Sequence, residues 1–186
     1  MDTLQGSHRI NEVDHFYKKV IEAHREYFHY WLHHTLFHWD FFLSLFLAVV
    51  PWVLWFIFRH KESRDRLLFA GFFVIITTSW LDFWGTMYGL WFYTGKVLPS
   101  MPSFIPWDFC LLPVFVMLLI QYKPIRSPYL KGLIFAGGSA FIGELLFQWI
   151  GLYVMTNWSI FYSFPIYFVI YLIAHRLSKA SHFAEV

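Results

Sequence analysis

Four acids sit where acids are expensive. Asp82 and Glu144 lie inside long apolar runs, and Asp40 and Asp108 each open one. No Lys or Arg stands in any of those runs to oppose them. A carboxylate at the centre of a bilayer costs at least ~2.5–3.5 kcal/mol on insertion scales, so such residues face a bundle interior and mark function. Counted from the basic ends of their runs, Asp82 and Glu144 lie about 22 and 18 Å deep at the helical rise per residue. These two acids are the candidate acid–base pair. Asp40, Asp82, Asp108 and Glu144, with Gln148, Trp80 and Trp107, form the expected ligand-binding set. Tryptophan recurs beside the acids in Trp39-Asp40, Trp80-Leu-Asp82 and Trp107-Asp108. Two readings account for it: an interfacial aromatic belt, or an aromatic wall around a cation.

A second group of chemistry-bearing residues precedes the first apolar run. Glu22, Glu26, His29 and His33 project within about 60° on a helical wheel. Glu26-Tyr-Phe-His29 has the spacing of carboxylate-bridged metal helices. Imidazole and carboxylate ligands suit zinc or iron, and a solvated polar face has the same pattern. Cys110, the single cysteine, excludes an intramolecular disulfide framework and multi-cysteine metal sites. No phosphate-binding glycine loop, Ser-His-Asp set or dinucleotide fingerprint is present.

The elements that must position these residues follow from composition. The chain has 186 residues, 58% hydrophobic and 14% charged, with aromatics at 24%. A soluble fold of this size needs more polar side chain at its surface. A net charge of +2 leaves no basic face for nucleic acid. The class is therefore an all-α polytopic membrane bundle whose partner is the lipid bilayer. Apolar runs at Phe41–Phe58, Leu67–Tyr93, Pro106–Tyr122, Gly132–Met155 and Ile160–Ala174 predict about five transmembrane helices. Residues 1–39 read as an N-terminal His-rich amphipathic helical segment, 40–175 as the bundle and 176–186 as a short tail. The start lacks the order of a cleavable signal peptide. The connections after spans one and three and the tail, with Lys131, carry nine basic residues against Lys96 on the other side. That imbalance places the C-terminus in the cytoplasm and the N-terminus outside the cell membrane.

Small residues accompany the acids. Thr78, Asp82, Gly85 and Gly89 share one side of span two, and Gly137, Ala140, Glu144, Gln148 and Gly151 one side of span four. The Gly85/Gly89 pair predicts a close-packing face for a neighbouring helix, a second copy or a partner in a membrane complex. Pro51, Pro113 and Pro165 inside spans predict kinks and freed carbonyls.

The stretch from Leu81 to Tyr122 carries a resemblance. Its Asp-x-x-Gly-x-x-x-Gly-Leu-Trp pattern (Asp82 to Trp91) and Pro-x-Asp-x-x-x-x-Pro pattern (Pro106 to Pro113) resemble a family of small multi-pass proteins from spore-forming Gram-positive bacteria. The likeness covers roughly residues 40–175 and implies a plasma-membrane helix bundle without an established activity. More faintly, these acids with Gly-Leu-Trp-x-Tyr and the Pro-rich loop are similar to the lycopene cyclase domain, which uses intramembrane carboxylates on a prenyl substrate. Where that family has paired glutamates, this chain has Pro106-Trp107-Asp108. Two readings of activity thus stand beside a structural subunit. One is a binding site for a proton, cation or cationic ligand, and the other an enzyme using Asp82 and Glu144 on an isoprenoid or acyl substrate.

Overall fold

The computed structural model describes residues 6–123 and 126–180, Ser7 without its side chain. It is mostly helical (77%), with six helices and almost no sheet among the described residues. Helix α1 spans Ser7–His34, α2 Trp39–Phe58, α3 Arg64–Met87, α4 Pro106–Gln121, α5 Pro128–Ile150 and α6 Ile160–Ser178. The stretches 39–58, 61–87, 128–150 and 160–178 are long and apolar enough to cross a membrane, and α4 is a shorter apolar helix. The expected tail is described only to Ala180, and Pro124 and the first five residues of the N-terminal segment lie outside the described residues.

The short helix is the centre of the bundle. Leu112, Val114, Val116 and Met117 of α4 are buried, packed against α2, α3, α5 and α6. Around it, Ile57, Phe72 and Phe161 point outward at 66%, 60% and 70% exposure. A protein in water buries such residues, and one in lipid does not need to. Pro113 cannot donate to the carbonyl of Phe109. That carbonyl instead accepts the Trp52 indole N–H at 3.0 Å, which ties α2 to α4.

Two apolar runs end differently from the sequence reading. Span two was expected to continue to Tyr93 and span four to Met155, but α3 stops at Met87 and α5 at Ile150. Gly89 (φ +65°) and Gly151 (φ +87°) take left-handed conformations that end the helices. The residues beyond them form β1 (Trp91–Tyr93) and β2 (Tyr153–Met155), paired antiparallel with Trp91 opposite Met155 and Tyr93 opposite Tyr153. This two-stranded ribbon caps one end of the bundle, and the basic connections lie at the other.

Two further corrections concern packing. Gly85 does not meet a second helix, because the chain's own Trp91 indole occupies the space a Cβ would take, and Gly89 lies beyond the helix. Lys131, counted with the basic loop residues, is a buried residue of α5. Its ammonium donates to the Tyr122 carbonyl at 2.5 Å at the end of α4, where carbonyls lack intrahelical partners.

Helix α1 projects from the bundle as an arm. Val13, Phe16, Tyr17 and Val20 are exposed, and its C-terminal half carries the hydrogen bonds to the rest of the chain, His24 Nε2 lying 3.2 Å from Ser100 Oγ. There the buried Trp31 donates its indole N–H to the Lys96 carbonyl at 2.7 Å.

Candidate functional site

Three of the four expected acids meet under the ribbon. Asp82 of α3, Asp108 of α4 and Glu144 of α5 are buried and line one cavity of about 70 Å³. Asp82 lies five residues before the end of α3 and Glu144 six before the end of α5. At the helical rise both are within about 10 Å of the ribbon end. Asp108 is in the first turn of α4. Three helices thus bring their acids to one level.

Two of the helices widen where they present their acids. Residues Pro106–Leu111, holding Asp108, and Gly138–Glu144, ending at Glu144, form π-helical turns. Such turns are rare and recur at functional sites, because i→i+5 bonding re-aims the side chains. Gly143 provides room beside the second one, since the Trp107 ring fills the place of its missing Cβ.

Neutral donors surround the carboxyls. Alternate residues of a strand point to one side, so β1 aims both Trp91 and Tyr93 at Asp82. Tyr93 Oη donates to Asp82 Oδ1 at 2.8 Å and Trp91 Nε1 to the same oxygen at 3.1 Å. The Phe104 amide is shared between Asp82 Oδ2 at 3.1 Å and Asp108 Oδ2 at 3.2 Å. The shared amide thus brings the Asp82 and Asp108 carboxyls together. Residues four apart share a helix face, and α6 presents Ser163 and Tyr167 to Glu144. Tyr167 Oη donates to Oε1 at 2.8 Å and Ser163 Oγ to Oε2 at 3.0 Å. Trp107 Nε1 donates to Tyr167 Oη and Trp158 Nε1 to Ser163 Oγ, each at 3.0 Å.

No lysine or arginine lines the cavity. Lys96 stands in the loop after β1, and its ammonium donates to the Met101 carbonyl at 2.8 Å and the Pro102 carbonyl at 3.0 Å. Burial lowers the Lys96 ammonium from its ordinary value, and Asp82 and Asp108 oppose that shift.

Other expected site residues lie elsewhere. Asp40, half-buried beside Gly95, does not line the cavity, and its Oδ1 has no hydrogen-bond partner. Gln148 and Trp80 are exposed. Of the three acid-flanking tryptophans only Trp107 lines the cavity, while Trp39 and Trp80 face outward. On α1, Glu22, Glu26, His29 and His33 are all exposed, with the two imidazoles 4.4 Å apart. Among the described residues no group of three His, Cys, Asp or Glu side chains is placed to hold a metal ion.

Sequence reasoning missed Tyr167, Ser163, Tyr153 and Trp158 as walls of the site. The signal for the first two was their four-residue spacing as hydroxyl side chains in a largely apolar run. Compared with protein-family models, curated proteins and solved structures, the chain matches none.

Proposed function

We propose that the chain is an integral protein of the cell membrane whose ribbon end holds a buried proton-exchange site. The carrying observation is the convergence of Asp82, Asp108 and Glu144 on one cavity without a Lys or Arg in its wall. Two buried carboxyls that share one amide donor oppose each other's charge, which favours a proton on one of them. In this reading the Asp82–Asp108 pair holds one proton between them, and Glu144 lines the same cavity. A volume of about 70 Å³ accommodates a few water molecules. It is far below the several hundred Å³ of a typical organic-ligand pocket, which supports a proton over an isoprenoid or acyl substrate.

Five spans, α2 to α6, cross the membrane in this reading, the short α4 at the centre. The positive-inside bias sets the ribbon end and α1 outside and the basic end inside. Proton exchange then occurs with the outer face.

The test is thermal unfolding in detergent across a pH series, for the parent and for Asp82→Asn and Glu144→Gln. The parent is expected to show a pH-dependent melting temperature that each amide variant flattens, without response to added sodium, potassium or zinc. Identical pH profiles in all three proteins would instead favour carboxyls that serve as interhelical glue, and a cation-specific stabilisation would favour a metal-ion site.

A further inference from the structure

The basic end carries a second cavity, of about 360 Å³, where three helix ends meet. Its wall holds His60, Ser63 and Arg66 around the start of α3, Gln121 at the end of α4, and His175 and Lys179 at the end of α6. No carboxylate lines it. Among the described residues, Arg66 and Lys179 make no ion pair. The donors of Arg66, Lys179 and Ser63 are thus left for something from outside the chain. Gln121 is already committed, donating to the Phe58 carbonyl at 3.0 Å and accepting from the His60 amide at 3.2 Å.

Arg66 also borders a neighbouring groove of about 720 Å³ walled by Trp52, Leu68, Phe69, Phe72 and Ile75. Glu62 and Asp65 also line that groove, and Asp65 is paired with Arg64 at 2.8 Å. A cationic cavity beside an apolar trough fits one amphiphile: a phosphate in the first and an acyl chain in the second. Basic pockets between transmembrane helices bind anionic lipid head groups in this way.

We infer that Arg66, Lys179, His60 and His175 form a binding site for the phosphate of an anionic phospholipid, whose acyl chain lies in the groove beside Arg66. The inference uses the membrane placement above but not the proton site, whose failure leaves it standing.

Native mass spectrometry of the full chain, offered equal phosphatidylglycerol and phosphatidylcholine, tests it. The parent is expected to retain phosphatidylglycerol preferentially, and Arg66→Ala and Lys179→Ala to weaken that retention by about fivefold each. The charge-conserving Arg66→Lys keeps most of it. Should the alanine variants fail to fold, Ser63→Trp blocks the cavity without removing charge and is expected to abolish the preference. Equal retention of the two lipids by the parent, or an unchanged preference in the alanine variants and in Ser63→Trp, would overturn the site. Displacement of the bound lipid by inorganic phosphate alone would overturn the lipid assignment in favour of a free anion.

Discussion

The arm α1 and the ribbon end use related side chains to opposite effect. Along α1, Glu22, Glu26, His29 and His33 share one face of one helix and remain exposed. Under the ribbon, Asp82, Asp108 and Glu144 come from three helices and are buried around a single cavity. Exposed acids and histidines have bulk water as their partner, so their mutual spacing costs and gains little. Buried carboxyls must find partners in the protein, and here they find the hydroxyl and indole donors of Tyr93, Tyr167, Ser163 and Trp91. One-helix periodicity alone therefore does not build a site. Convergence of elements distant in sequence does.

That contrast breaks most readily at Gly85. A leucine there displaces the Trp91 indole and removes a donor from Asp82, combining overpacking with a lost hydrogen bond to a buried acid. Thermal or denaturant unfolding of Gly85→Leu should show a loss of about 3 kcal/mol; parent-like stability would mean that the Trp91 contact is dispensable. Tyr167→Phe is the narrower cut. It leaves Glu144 Oε1 and Trp107 Nε1 without their shared partner, at an expected cost of about 2 kcal/mol, read in the same assay.

Lys96→Met probes the loop over the site. The loss of two carbonyl contacts made by an ammonium should cost about 1.5 kcal/mol. Because burial lowers the folded-state value of Lys96 below the ordinary 10.5, the folded chain releases this proton at lower pH than the unfolded chain. Lys96 then contributes increasing stability as pH rises towards the unfolded value. The gap between parent and Lys96→Met should widen over that alkaline interval; a gap that narrows with rising pH contradicts the burial. The smallest effect belongs to the arm, where His29→Ala with His33→Ala should change stability by less than about 0.5 kcal/mol. Elemental analysis showing bound zinc or iron lost in that double variant would erase the contrast between the two regions.

Much of the bundle was legible because apolar runs long enough for a membrane announce themselves without an alignment. Their ends were not. Gly89 and Gly151 look like small residues of a packing stripe, and only pairing between β1 and β2, some sixty residues apart, shows them as helix terminators. The acids Asp82, Asp108 and Glu144 stood out because nothing in their runs opposes them. Gln148 was drawn in by a regular helical projection, which the π-helical turns of α5 disturb. Asp40 was grouped with the others by depth alone, and depth does not say which helix a side chain faces. Tyr167 and Ser163 went unread because hydroxyl groups in an apolar helix gain meaning only once a carboxyl lies opposite.

The central claim is a proton held among Asp82, Asp108 and Glu144, and infrared difference titration in nanodiscs addresses it most directly. The account predicts a protonated-carboxyl band at neutral pH that disappears on alkaline titration and is diminished in Asp82→Asn and in Glu144→Gln, with both variants folded. A parent spectrum with no protonated-carboxyl band at neutral pH, or a band unchanged in both amide variants, would contradict it.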